Sequence, residues 1–168
     1  MSIKKTALII LLSFVFNIAN AEENLKSLGK FKDWESFLLS KEGIKTCFAQ
    51  STPILRAPKK LKREPSRLFV SFRPAENVKN ELSVTNGYKF KLKAPVVAKS
   101  GKKTYNLFSK GRFAWTKDNE EDQKLISIMR KASRLMIIGN SEKGEETTDH
   151  YSMMGFTNAY NVAKKSCS

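Results

Sequence analysis

The sequence predicts a mainly β, single-domain fold: a β-sandwich or barrel-like arrangement of about nine short strands with two helices, near 119–132 and 155–165. Three observations lead there. Apolar residues come in short runs, several of alternating polarity, separated by Gly, Pro, Asn and Ser turn signals. The apolar period changes from two to about 3.6 only late in the chain, after Trp115 and again after Met154. Behind an N-terminal leader, 147 residues remain, which suits one domain with one core.

The leader is residues 1–21. Met1-Ser2-Ile3-Lys4-Lys5 is basic, Ala7 to Leu12 is an unbroken apolar run extended by Phe14-Val15-Phe16, and Ala19-Asn20-Ala21 places small residues where a signal peptidase reads. A signal peptide cleaved after Ala21 is expected, leaving a periplasmic or secreted protein. The apolar run of about 12 residues is short of the ~20 that span a bilayer, so no transmembrane anchor is expected.

Residues 22–33 are polar and read as a flexible N-terminal segment; 34–168 read as the folded domain. Strands are expected at 34–39 and 46–50, joined as a hairpin by Lys41-Glu42-Gly43. Residues 51–67 carry Pro53, Pro58 and Pro65 among six bases, and proline at that density denies regular pairing, so a basic exposed loop is expected. Leu68–Phe72 and Glu81–Thr85 read as strands, followed by an Asn86-Gly87 turn. Tyr88, Phe90 and Leu92 alternate with Lys89, Lys91 and Lys93, the pattern of a half-buried strand with one wet face. Further strands are expected at 104–108, 111–115, 134–139 and 147–153. Asp118 followed by Glu121 looks like a capping pair for a helix whose apolar stripe is Leu125, Ile128, Met129 and Ala132, and Glu120 to Asp122 suit its positive dipole end. Phe156, Ala159, Tyr160 and Ala163 give the second helix one apolar face.

Charge is the strongest compositional signal. The chain carries net +15; the leader holds two lysines and no acid, so the remainder holds +13. All of that excess lies in 22–115, because bases and acids balance in 116–168. Outside the cytoplasm such a field meets phospholipid headgroups, acidic glycans and cell-wall polymers rather than nucleic acid. The candidate anion contacts are Arg56, Lys59, Lys60, Lys62, Arg63 and Arg67 in the loop, and Lys89, Lys91 and Lys93 on the alternating row. A solvated, lysine-rich surface, or lysines guarding a sheet edge, explains the same residues without a partner.

Two cysteines remain after the leader, Cys47 and Cys167, and an exported protein with an even count reads as disulfide-paired. No cofactor, metal site or catalytic residue is expected. His150 is the only histidine; on a strand it points away from Asp149, so the Asp-His-Ser word there is no triad. One histidine and two distant cysteines cannot close a zinc site. Two carboxylates meeting in space stay open as an acid–base pair. Trp34 and Trp115 read as core or rim residues, with sugar stacking as the alternative.

The string Gly139 to Ala159, with Gly144, Thr147, Asp149, Tyr151-Ser152 and Gly155-Phe156-Thr157, resembles the "S-x-R-G-x-x-T-x-D-x-Y-S-L-x-G-F-T-x-A" stretch of the invasion associated locus B family. Cys47-Phe48-Ala49, Ser71-Phe72-Arg73-Pro74, Glu81 to Tyr88, and Leu107-Phe108 with Gly111 and Ala114-Trp115 resemble that family's other segments in the same order. Lys143, Met153 and His150 depart from its pattern. The resemblance runs from about Trp34 to Cys167. It implies an exported bacterial envelope protein; no catalytic residue is established for the family, and none is carried over. The shared Gly87, Gly111, Gly144 and Gly155 read as turn or helix-start positions, and Phe156 as core. The functional expectation is a non-enzymatic, envelope-associated binding protein whose partner is an anionic envelope component or an acidic protein. An envelope-polymer hydrolase using paired carboxylates, and a structural factor for outer-membrane assembly, are the alternatives.

Overall fold

Alternating burial along strand after strand sets the architecture, as in Arg67–Arg73, where Leu68, Val70 and Phe72 point inward and the residues between them outward. The computed structural model describes residues 23–168; the leader and its cleavage position lie outside the described residues. Eleven antiparallel strands form one open sheet: β1 (Glu23–Phe31), β2 (Trp34–Lys41), β3 (Ile44–Ser51), β4 (Leu55–Ala57), β5 (Arg67–Arg73), β6 (Val78–Thr85), β7 (Val96–Ser100), β8 (Lys103–Lys110), β9 (Phe113–Trp115), β10 (Arg134–Asn140) and β11 (Glu146–Ser152). Their spatial order is β1-β2-β3-β5-β6-β9-β8-β7-β10-β11-β4. The sheet divides at β8, whose first half (Lys103–Leu107) pairs with β7 and whose second half (Phe108–Lys110) pairs with β9. Inward side chains from both halves share one core, which includes Leu68, Val84, Leu107, Leu135 and Tyr151.

The mainly β fold with two helices is as the sequence predicts, with eleven strands rather than nine. The expected flexible segment 22–33 is corrected: residues 23–31 form β1, paired along β2 from Glu23–Lys41 to Phe31–Trp34. A polar sequence is no bar to an edge strand, since the pairing uses backbone groups; residues 24–27 and Lys30 stay exposed while Phe31 packs against the core. The strand expected at 88–93 is not regular. Phe90 makes an isolated bridge to Ser141, Lys93 takes φ +63°, and Leu92 is 79% exposed. Backbone bonds from Phe90 to Gly111 and from Lys91 to Asn140 hold this segment across two turns instead. Within the expected loop 51–67, residues 55–57 form β4, a short edge strand beside β11.

Two helices complete the core. α1 (Asn119–Met129) starts at Asp118, whose carboxylate accepts the Glu121 N–H at 2.9 Å. It ends three residues before the expected 132 because the chain turns at Arg130–Ala132 to enter β10. α2 (Phe156–Ser166) lies over β2 and β3: Ser36 Oγ donates to Ala159 O at 2.7 Å, and Phe156 packs on Trp34 with ring centroids 4.8 Å apart. A disulfide joins Cys47 on β3 to Cys167 beyond α2, with Cα atoms 5.8 Å apart. Gly155 begins α2 at φ +91°, and a Cβ there would sit 1.8 Å from Phe31 O, so the β1–β2 turn and α2 meet only through a glycine. No helix among the described residues is long and apolar enough to cross a membrane.

Candidate functional site

The two basic segments, separated in sequence, come together at one end of the sheet. Glu64 N–H donates to Gly87 O at 3.1 Å, and a Cβ on Gly87 would sit 1.9 Å from Glu64 O, so the loops touch through backbone. Phe90 N–H reaches Gly111 O at 2.9 Å, and Glu142 N–H reaches Lys89 O at 3.0 Å. Loops 58–66, 86–93, 111–112 and 140–145 therefore form one end surface. Lys59, Lys60, Lys62, Lys89, Lys91 and Lys93 are all exposed there, and none forms an ion pair among the described residues. Glu64, an acid of this surface, is held by Arg112.

The three arginines proposed as anion contacts behave differently. Arg63 is a correction: its side chain is 3% exposed and bonded to Asp149, which is fully buried, through both carboxylate oxygens. It also donates to Asn86 O at 2.7 Å and Ser66 Oγ at 2.9 Å. Planar guanidinium geometry suits this fork, and full desolvation leaves it unavailable to a partner. Arg56 is half-buried; it donates to Glu64 O at 2.5 Å, and burial followed by the Arg63 charge lowers its pKa. Arg67 is half-buried on the outer side of β5. The accessible bases of the end surface without an ion-pair partner among the described residues are thus lysines, since Arg112 is engaged by Glu64.

Around Arg63 lies a buried polar cluster. Tyr88 and Thr147 hydroxyls bond at 2.7 Å, and Asn86 Nδ2 donates to Thr147 Oγ1 at 3.3 Å. Tyr151 is fully buried, and burial raises its pKa well above the usual phenol value. Thr147, Asp149 and Tyr151 all point inward from β11, while His150 is half-buried on the other side, as the strand period predicts. The string that carries the family resemblance therefore builds a folding cluster, with Asp149 turned to Arg63 and away from His150. Trp34 belongs to the same interior: it is 1% exposed, and its indole N–H donates to Ser152 O at 2.8 Å.

Trp115 is the contrasting tryptophan. β6, the β8–β9 hairpin and the start of α1 enclose a cleft of about 620 Å³. On its wall Trp115 and Phe108 stack with centroids 5.6 Å apart and planes 27° apart, and Phe108 is 53% exposed. Three carboxylates line it, and each has an internal partner. Glu81 accepts two nitrogens of Arg73 at 3.0 and 2.9 Å, which raises the Arg73 pKa. Asp118 caps α1. Asp122, read from sequence as a dipole partner, is buried and accepts Leu82 N–H at 2.8 Å and Thr116 Oγ1–H at 2.5 Å; burial raises its pKa. The sequence reading did not single out this cleft. Its signal was an inverted hairpin pattern: small Ala114 faces the core while Phe108, Phe113 and Trp115 face outward.

No family model and no curated protein matches the chain. Among solved structures, the crystal structure of invasion associated protein B from Bartonella henselae is similar to it with a TM-score of 0.57. The match covers 81% of this chain and 94% of that one at 13% identity. The chain has the fold of invasion associated protein B.

Proposed function

We propose that this protein is an exported, envelope-associated binding protein of the invasion associated locus B family, without catalytic activity, and that its partner is a polyanionic component of the envelope. The observation that supports the reading is the contact between Glu64 N–H and Gly87 O, which merges Lys59, Lys60 and Lys62 with Lys89, Lys91 and Lys93 into one exposed, unpaired cationic surface. A surface of six like charges attracts a polyanion through its field and is screened by salt. The likeness to invasion associated protein B supports the fold on which this surface is carried. The test is co-sedimentation with phosphatidylglycerol vesicles, with phosphatidylcholine vesicles as the neutral control, from ~20 to ~300 mM salt. Binding to the anionic vesicles at low salt that decays as salt rises supports the reading; absence of binding at the lowest salt ends it.

A further inference from the structure

The cleft beside Trp115 has a composition that the fold does not use up. We propose that it is a binding site for an acidic sugar, with a pyranose ring packed against the exposed Phe108 ring beside Trp115 and its carboxylate or phosphate held by Lys79, Lys110 and Lys117. Four observations carry this. On the outer side of the sheet Phe108, 53% exposed, stacks on half-buried Trp115, Phe113 lies against the same tryptophan with centroids 6.0 Å apart, and the exposed part of this aromatic cluster borders the cleft. A sugar ring offers a matching flat face of C–H groups, and aromatic faces bind through dispersion and their quadrupole.

The cleft volume of about 620 Å³ lies within the range of ligand sites, roughly 300–1,000 Å³. Its polar lining is rich in groups that both donate and accept. Asn77 and Asn80 line it, and an amide side chain can both donate and accept.

The charge balance selects an acidic ligand. Glu81, Asp118 and Asp122 are each bonded to groups of the protein, while Lys79, Lys110 and Lys117 are exposed and form no ion pair among the described residues. An anion in the cleft therefore meets three free ammonium groups, one carboxylate paired with Arg73, and two carboxylates whose acceptor oxygens are engaged by N–H and O–H groups of the protein. A neutral sugar would leave those ammonium groups without a counter-charge.

The proposal uses none of the six end-surface lysines, so it stands or falls separately from the polyanion reading. The test is an NMR titration of the ¹⁵N-labelled protein that follows the Trp115 indole N–H, with the buried Trp34 indole as internal control. The probes are oligogalacturonate, glucose 6-phosphate, neutral maltotetraose, hexaglutamate and AMP. At least one acidic sugar should shift the Trp115 signal saturably and leave Trp34 in place, with maltotetraose about tenfold weaker; which of the two acts distinguishes carboxylate from phosphate. Phe108→Ser and Lys110→Glu, both at exposed positions, should each weaken that binding about tenfold with the Trp34 signal unmoved. Lys59→Glu/Lys60→Glu/Lys62→Glu should leave it unchanged. The proposal is overturned if neither acidic sugar moves Trp115, if maltotetraose binds as tightly, if hexaglutamate or AMP binds more tightly, or if both cleft variants bind as the wild type does.

Discussion

Two regions of this protein hold arginine or lysine beside carboxylates and aromatic rings, and they use them in opposite ways. In the interior around β11, Arg63 is locked onto Asp149, Tyr88 and Thr147 share a hydroxyl bond, and Trp34 donates to Ser152 O. Every one of those contacts joins parts of the chain distant in sequence. On the outer side of β6, β8 and β9 the carboxylates of the cleft are bonded internally, while there and on the loop end the lysines face solvent, with Phe108 exposed beside Trp115. The difference teaches where to look for function: the charged pair of the β11 interior is spent on folding, while the lysines of the outer side and the loop end are left without ion-pair partners among the described residues.

The sharpest way to break this comparison is to remove interior bonds and see whether stability falls. Cys47→Ser with Cys167→Ser opens a loop of sequence separation 120, and a loss of about 4–5 kcal/mol in urea unfolding is expected. Arg63→Met strands a buried carboxylate and should lose about 3–5 kcal/mol, with most of it regained in the double variant Arg63→Met/Asp149→Leu. A single-variant loss below about 1 kcal/mol would place Arg63 among the accessible bases after all.

Asp122 lies between the two regions, buried at the cleft wall but bonded inward. Asp122→Ala leaves Leu82 N–H without its acceptor and should cost about 1–3 kcal/mol. Asp122→Asn keeps the oxygen that accepts both bonds and removes the charge. Because burial raises the folded-state pKa, protonation is favoured in the fold, and wild-type stability falls as pH climbs from the ordinary carboxyl value through the raised one. The Asn variant should gain on the wild type over that window and converge with it at acid pH; parallel pH curves would contradict the assignment. The smallest effect belongs to the end surface: Lys59→Glu, Lys60→Glu and Lys62→Glu should each change stability by less than about 0.5 kcal/mol.

Much of this was legible in the sequence, for reasons that differ by element. The hairpin of β2 and β3, both helices and the Cys47–Cys167 bond were readable because alternation, the Asp118 cap and the cysteine count are local signals. β1 and β4 were not, since edge strands need only backbone partners and their side chains carry no apolar period. Tyr88 and Phe90 do turn inward, but the chain then turns at 91–94, where Ala94 N–H donates to Lys91 O, and Leu92 at the tip of that turn faces solvent. Arg63 looked like its basic neighbours because nothing in 51–67 announces Asp149, which comes 86 residues later. The cleft was hidden for the same reason: β6, β9 and α1 assemble it from three separate stretches.

The central claim, that the loop end is where a polyanion binds, is tested most directly by comparing two variants of equal net charge. One carries Lys59→Glu, Lys60→Glu and Lys62→Glu; the other carries Lys102→Glu, Lys131→Glu and Lys165→Glu, at exposed positions elsewhere. With phosphatidylglycerol vesicles at low salt, the account predicts that the first loses binding while the second stays close to wild type. Equal losses in the two would show that net charge alone drives association and would contradict a localised site.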